Sequence, residues 1–223
     1  MKNLQKVTLI IPAKEERDCL TKVIKELKKY KIKKIIVIPK HEKCNYINEK
    51  EATIINQNSN GYGNALKTGI QQVKTEYFCI FNADGSFKPN EISSMQSELT
   101  KKKLDFIFAS RYKDNGFSDD DTFLTKFGNY FFSLVGRILF SIKITDILYT
   151  YVLGKTENVK KLNLGSDDFS FCVELPIKIQ RANMKYSCIA SHERRRLSGT
   201  KKVNEFKDGI KILFKMIYLF LSK

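Results

Sequence analysis

No two cysteines in this 223-residue chain stand at CxxC spacing, and only two histidines are present. The five cysteines, Cys19, Cys44, Cys79, Cys172 and Cys188, are odd in number and far apart. That pattern argues against a disulfide framework or a structural zinc site and fits a reducing cytosol. Neither His41 nor His192 has a cysteine or second histidine at ligand spacing, so a histidine-centred metal site or catalytic triad finds no support. A membrane span needs roughly 18 or more uncharged apolar residues. The nearest run, residues 210–221, is shorter and is broken by Lys211 and Lys215. Residues 1–6 lead straight into a strand pattern, so no signal peptide is expected. Internal repeats, low-complexity linkers and composition breaks are missing too, and one domain over residues 1–223 is expected.

What the chain does have is positive charge: 40 Lys and Arg against 24 Asp and Glu, a net +16. Such a field attracts phosphates, nucleic acid or anionic lipid headgroups, or reflects a lysine-rich composition without further meaning. No nucleic-acid recognition motif accompanies it. The apolar fraction of 42% suffices for a real core.

Residues 7–12 (VTLIIP) form a continuous β-branched run of the kind that makes a buried parallel strand. Residues 34–38, 52–56, 77–82 and 105–110 repeat that character. Between them, residues 16–30, 64–74 and 89–102 carry apolar side chains at helical spacing, as in Leu20, Val23, Ile24 and Leu27. Strands alternating with helices predict an α/β fold around a mostly parallel, doubly wound sheet, with ligands at the carboxyl ends of the strands. In the second half, residues 123–144 are rich in aromatic and aliphatic side chains. Residues 171–181 read as a helix, 186–192 as a strand, 194–202 as a basic loop and 205–221 as an amphipathic helix. Its face of Ile210, Leu213, Ile217, Phe220 and Leu221, fringed by Lys207, Lys211, Lys215 and Lys223, fits an interfacial helix or a core contact equally. For residues 123–144 core packing is favoured.

Three segments carry chemistry. Pro12-Ala13-Lys14-Glu15-Glu16 follows the first strand, where a ligand sits in such sheets; acidic residues there also suit a helix start. Gly61-Tyr62-Gly63 opens a helix, where free N–H groups suit phosphate. Asn82-Ala83-Asp84-Gly85 ends the fourth strand, and a carboxylate there can hold Mg²⁺ or Mn²⁺. Asp167 and Asp168 read as a helix cap, and residues 119–121 as a solvated acidic loop.

Together the segments resemble the family 2 glycosyltransferases, including the polyprenol-phosphate sugar synthases. The matching pieces, in order, are PAKEE, GYGNALKTG (residues 61–69), NADG (82–85), ASRY (109–112), DILYTY (146–151), a helix bearing Glu174, and the arginine-rich loop 194–203. They cover nearly the whole chain.

The resemblance implies a GT-A fold, with residues 1–112 as the nucleotide-binding half and 113–223 as the acceptor half. It implies a hexosyltransferase that moves sugar from a nucleoside diphosphate donor, with Mn²⁺ or Mg²⁺, to a polyprenyl phosphate or other envelope glycan precursor. The protein would then sit peripherally on the inner face of the cytoplasmic membrane, on anionic lipid. By the same resemblance Pro12, Ala13, Glu15, Gly61, Gly63, Asn82, Arg196 and Lys202 contact the donor, and Asp84 with Asn82 holds the metal. Asp84, Glu174 and Arg111 are the catalytic candidates, with Arg111 facing phosphate.

Three departures stand out. The family's D-D-G-S after the second strand is here Ile38-Pro39-Lys40-His41, the first acid of D-A-D-G is Asn82, and a lysine often found between the two glycines is Tyr62. They leave open a degenerate relative that binds donor or membrane without transfer. A nucleotidyltransferase is disfavoured, because its glycine signature would lie in the first loop.

Overall fold

The structure is a computed structural model and describes residues 3–197 and 204–222. Its centre is a seven-stranded sheet. In chain order the strands are β1 (Asn3–Pro12), β2 (Lys31–Ile38), β3 (Thr53–Asn56), β4 (Tyr77–Ile80), β5 (Phe106–Ser110), β7 (Val152–Lys155) and β8 (Tyr186–Ala190). Spatially they run β3-β2-β1-β4-β7-β5-β8. Every pairing is parallel except those of β7, which lies antiparallel between β4 and β5. A small second sheet pairs β6 (Phe117–Ser118) with β9 (His192–Glu193).

The helices are α1 (Arg17–Leu27), α2 (Tyr62–Gln72), α3 (Glu91–Lys101), α4 (Phe123–Phe140), α5 (Thr156–Lys161), α6 (Phe171–Arg181) and α7 (Glu205–Leu221). Both faces of the sheet are covered, which is why its strands read as unbroken apolar runs. Leu20, Val23 and Ile24 of α1 and Ile92, Met95 and Leu99 of α3 pack into the core on one face. Apolar residues of α2, α4, α6 and α7 pack into the core on the other. All five cysteines are buried free thiols.

The expected strands and helices are present with shifted ends, and α6 and α7 fall on the expected residues. Three elements had no counterpart in the sequence reading: β6, β7 and α5. Through β7 the second half of the chain enters the middle of the sheet, so the expected halves are interleaved.

Helix α4 starts at Thr122, whose side chain accepts from the Thr125 amide, and ends at Ser141 in the left-handed region (φ 56°). Helix α7 starts at Asn204, whose side chain accepts from Lys207 N, while Asp208 accepts from Asn204 N in return. At its other end the Arg181 guanidinium donates to the Leu219 and Ser222 carbonyls, a cation on orphaned acceptors. The two helices lie side by side and point the same way. Thr125 Oγ1 donates to Glu205 Oε1 (3.0 Å) at their starts, and Phe140 meets Phe220 edge-on at their ends.

Each helix buries only a narrow stripe: Asn129, Phe132, Ser133, Gly136 and Phe140 on α4, and Ile212, Met216 and Leu219 on α7. The face of α7 singled out in the sequence is the outer one. Core packing was favoured for residues 123–144, yet Phe123, Phe127, Tyr130, Phe131 and Ile138 are exposed. Among the described residues no helix is long and apolar enough to cross a membrane.

Candidate active site

A cavity of about 940 Å³ opens at the carboxyl ends of β1, β2 and β4. One wall is built by Pro12 to Glu16, Val37, Pro39, Gln57, Gly61 and Tyr62, and Asn82 to Asp84 form its floor. The opposite wall is mainly apolar and comes from α4 and α7, through Leu124, Gly128, Phe132, Phe206, Gly209 and Ile212, with Thr125 and Glu205 as its polar residues.

At the first strand's end the Ala13 amide donates to Val37 O (2.9 Å), tying the turn to β2. Glu15 then takes a left-handed conformation (φ 55°), unusual for a side chain with a Cβ, and this turns the chain into α1. Pro12, Ala13 and Glu15 line the cavity.

Asp84 stands just past β4. Its Oδ1 accepts from Ser86 N (2.9 Å) and Ser86 Oγ (2.7 Å), which fixes the carboxylate in a turn. Its Oδ2 has no hydrogen bond among the described residues. Asn82 Oδ1, also on the cavity, has only a 3.5 Å contact with the Tyr62 hydroxyl. No group of three or more His, Cys, Asp or Glu among the described residues could hold a metal alone. One carboxylate beside one amide oxygen fits a hard divalent ion that takes its other ligands from phosphate and water. Asp84 and Asn82 would hold such an ion.

The glycines act differently from expectation. A Cβ at Gly61 (φ 113°) would lie 2.2 Å from Asp167 O, and one at Gly63 would lie 2.5 Å from Ser166 O. The α2 amide of Asn64 donates to Asp167 O (2.9 Å). Here the glycines let one stretch of backbone press against another, and the helix start is partly spent on that contact. Gly61 borders the cavity and Gly63 lies behind it. Tyr62 stacks on Phe169 (5.0 Å between centroids), and its hydroxyl lies 2.7 Å from Thr150 Oγ1.

Glu174 is not on the cavity. It is 1% exposed and accepts from the Gly165 and Ser166 amides, with Lys178 (3.0 Å) and Lys215 (3.3 Å) beside it. Burial works to raise its pKa, but the two amides and Lys178 prevail and hold it at about 2. It fastens the 165–168 loop, and with it the glycine turn, to α6 and α7. Asp167 and Asp168 do not cap α6; Ser170 holds the position before it without a side-chain cap bond, and Asp168 accepts from the Ser170 amide while Asp167 pairs with Lys67.

Arg111 reaches the cavity already committed. Its Nε and terminal nitrogens donate to both oxygens of the fully buried Asp146, to Asp121 (3.2 Å) and to Glu193 (3.0 Å). Its ring neighbour Tyr149 lies 4.6 Å below the guanidinium. Three carboxylates around one guanidinium leave it no excess charge for a phosphate, so the expected phosphate contact gives way to an organising hub. Asp121 is correspondingly part-buried rather than solvated. Glu193 lines the cavity, and burial raises its pKa against the pull of Arg111.

As far as it is described, the basic loop lies over the end of β4 at the carboxyl edge of the sheet. Arg194 N donates to Ser86 O and Leu197 N to Asp84 O. Its cations are partnered, Arg194 with Glu26 and Arg196 with Asp120 (2.6 Å), and Arg196 lines the cavity. Lys202 lies outside the described residues.

The sequence profile of glycosyl transferase family 2 matches residues 8–162. The chain is 24% identical to the uncharacterized protein MJ1222 of Methanocaldococcus jannaschii, over 96% of this chain and 92% of that protein. Its fold is similar to that of glucosyl-3-phosphoglycerate synthase from Mycobacterium tuberculosis, in complex with Mn²⁺, UDP-glucose and phosphoglyceric acid. The TM-score is 0.72 at 11% identity, covering 96% of this chain and 79% of that one. Mannosyl-3-phosphoglycerate synthase from Rubrobacter xylanophilus gives a TM-score of 0.71 at 10% identity, covering 97% and 74%. With an α/β sheet of GT-A type and a profile match over most of its length, the chain belongs to glycosyl transferase family 2.

Proposed function

We propose that the protein transfers a hexose from a nucleoside diphosphate donor to a lipid phosphate at an anionic membrane surface. The observation that carries this reading is the cavity's two walls. On one side stand the strand ends and an Asp84 oxygen without a hydrogen-bond partner among the described residues; on the other stands a mainly apolar wall made by the same two helices that carry exposed aromatic faces.

The donor's nucleoside would lie against Pro12, Ala13 and Glu15, with its diphosphate toward Asn82 and Asp84. A divalent ion bound there would neutralise charge on the departing diphosphate. Mn²⁺ and UDP occur together in the mycobacterial synthase, which supports this donor chemistry. Arg111, fixed by Asp146 and Tyr149, holds Glu193 and the acid-bearing loop at residues 119–121 around the sugar. Leu124, Phe132, Phe206 and Ile212 would exclude water and seat a lipid chain.

Outside the cavity, Phe123 (88% exposed), Phe127 and Phe214 (67% exposed) stand beside exposed Lys126, Lys207 and Lys211. Aromatic side chains ringed by lysines suit the headgroup zone of an anionic bilayer. Titration of UDP- and GDP-hexoses, with and without Mn²⁺, followed by radiolabelled transfer to polyprenyl phosphate in vesicles, tests the proposal. Metal-dependent donor binding and a labelled lipid are expected. Binding with no transfer to any lipid or soluble acceptor supports the degenerate reading instead.

A hydroxyl acceptor is the second reading, and Glu193 favours it, since a carboxyl with a raised pKa beside the cavity suits a general base. A phosphate acceptor needs no base. Glu193→Gln therefore leaves lipid-phosphate transfer within a few fold, but slows transfer to a hydroxyl by about 10²–10⁴.

A further inference from the structure

Gln57 follows β3, and its backbone amide donates to Ile38 O (2.8 Å), so the residue is pinned at the carboxyl end of β2 and β3. It is 6% exposed and lines the cavity beside Val37 and Pro39. A carboxamide carries two donors and an acceptor. Yet the Gln57 side chain makes no hydrogen bond to any described residue. Other polar side chains nearby are satisfied: Asn56, one position earlier, donates to the Pro39, Lys40 and Glu42 carbonyls and shapes the loop that replaces an acidic motif here. Gln57 thus presents to the cavity an uncharged amide with no hydrogen-bond partner among the described residues, beside a loop none of whose carboxylates lines the wall.

Resting on the donor site proposed above, we propose that Gln57 reads the base of the donor nucleotide through a two-point neutral hydrogen bond. Its Nε2 donates to a ring carbonyl and its Oε1 accepts from the adjacent ring N–H, the edge that uracil and guanine present. The base ring lies between Pro12 and Pro39, whose apolar surfaces bound it without polar contacts of their own. A neutral reader rewards a donor beside an acceptor. A carboxylate in its place would reward donors alone.

The experiment measures affinities of the full chain for UDP, GDP, CDP and ADP with Mn²⁺, and for inorganic pyrophosphate as a probe without a base. UDP or GDP is expected to bind tightest to the wild type. Gln57→Met, close in shape but unable to form the pair, should bind that nucleotide about tenfold or more weaker, with pyrophosphate affinity unchanged. Gln57→Glu, which loses the donor, should weaken it as well, and 3-methyl-UDP, which lacks the ring N–H, should bind the wild type no better than the Met variant binds UDP. Equal nucleotide affinity in Gln57→Met, or an equal loss for pyrophosphate, overturns the assignment while leaving the donor site standing. Failure of the wild type to bind any of the four nucleotides overturns both.

Discussion

Asp84 holds one carboxylate oxygen against Ser86 and leaves the other toward the cavity. Orientation and ligation are thus divided between the two oxygens. Removing the charge while keeping the shape should separate them, so Asp84→Asn is expected to abolish Mn²⁺-dependent donor binding while the melting temperature stays within about 2 °C, as calorimetry would show. Retained Mn²⁺ dependence would place the ion elsewhere. Arg111 teaches the opposite lesson. A sequence shows a cation, but not the carboxylates that quench it, which lie 10, 35 and 82 residues away along the chain.

At the scale of elements, the glycine turn before α2 depends on contact with residues 166–168. Gly61→Ala puts a methyl group 2.2 Å from a carbonyl oxygen and forces a left-handed backbone on alanine. A loss of at least about 2 kcal/mol in urea unfolding is expected, with donor affinity falling too. Helices α4 and α7 make a different kind of prediction. Their outer aromatic side chains touch little protein, so replacing Phe123, Phe127 and Phe214 by serine should hardly change stability. Each ring inserted into lipid is worth roughly 1.5–3 kcal/mol. Binding to anionic vesicles should therefore fall by more than about a hundredfold, and unchanged co-sedimentation would refute the membrane face.

These elements also show what the sequence could reveal. Helices α6 and α7 were legible to the residue, because a full apolar stripe and clear ends are local signals. Strand β7 was not: four residues, one of them Gly154, set in an aromatic run carry no periodicity, and only Phe78 and Phe106 on either side make that glycine necessary. Of the cavity, the strand-end residues Pro12, Ala13, Glu15, Asn82 and Asp84 were legible from motif order. Gln57 and Glu193 had no local signal, since their importance comes from burial. Glu174 was legible as a conspicuous acid but misread in role, because what it binds is backbone.

For the whole molecule, Glu174 contributes to stability against acid. Its folded pKa of about 2 lies below the unfolded value of 4.5, so its stabilisation is complete above the unfolded pKa and fades as pH falls toward 2. The shift corresponds to about 3 kcal/mol. Glu174→Gln should be markedly less stable at pH 7, with the difference from wild type shrinking between pH 4.5 and 2 in chemical denaturation. A constant difference across that range would remove the carboxylate's charge as the cause. The same molecule also carries a schedule in its topology. Strand β4 is made early and β5 soon after, but the strand that joins them, β7, is complete only once Lys155 has been added. Until then β4 has one open row of peptide groups and β5 has two, since β8 comes later still. Product released from a message broken between codons 110 and 152 has sticky edges and no closed sheet, and should be recovered in chaperone complexes or aggregates, not as a working nucleotide-binding half.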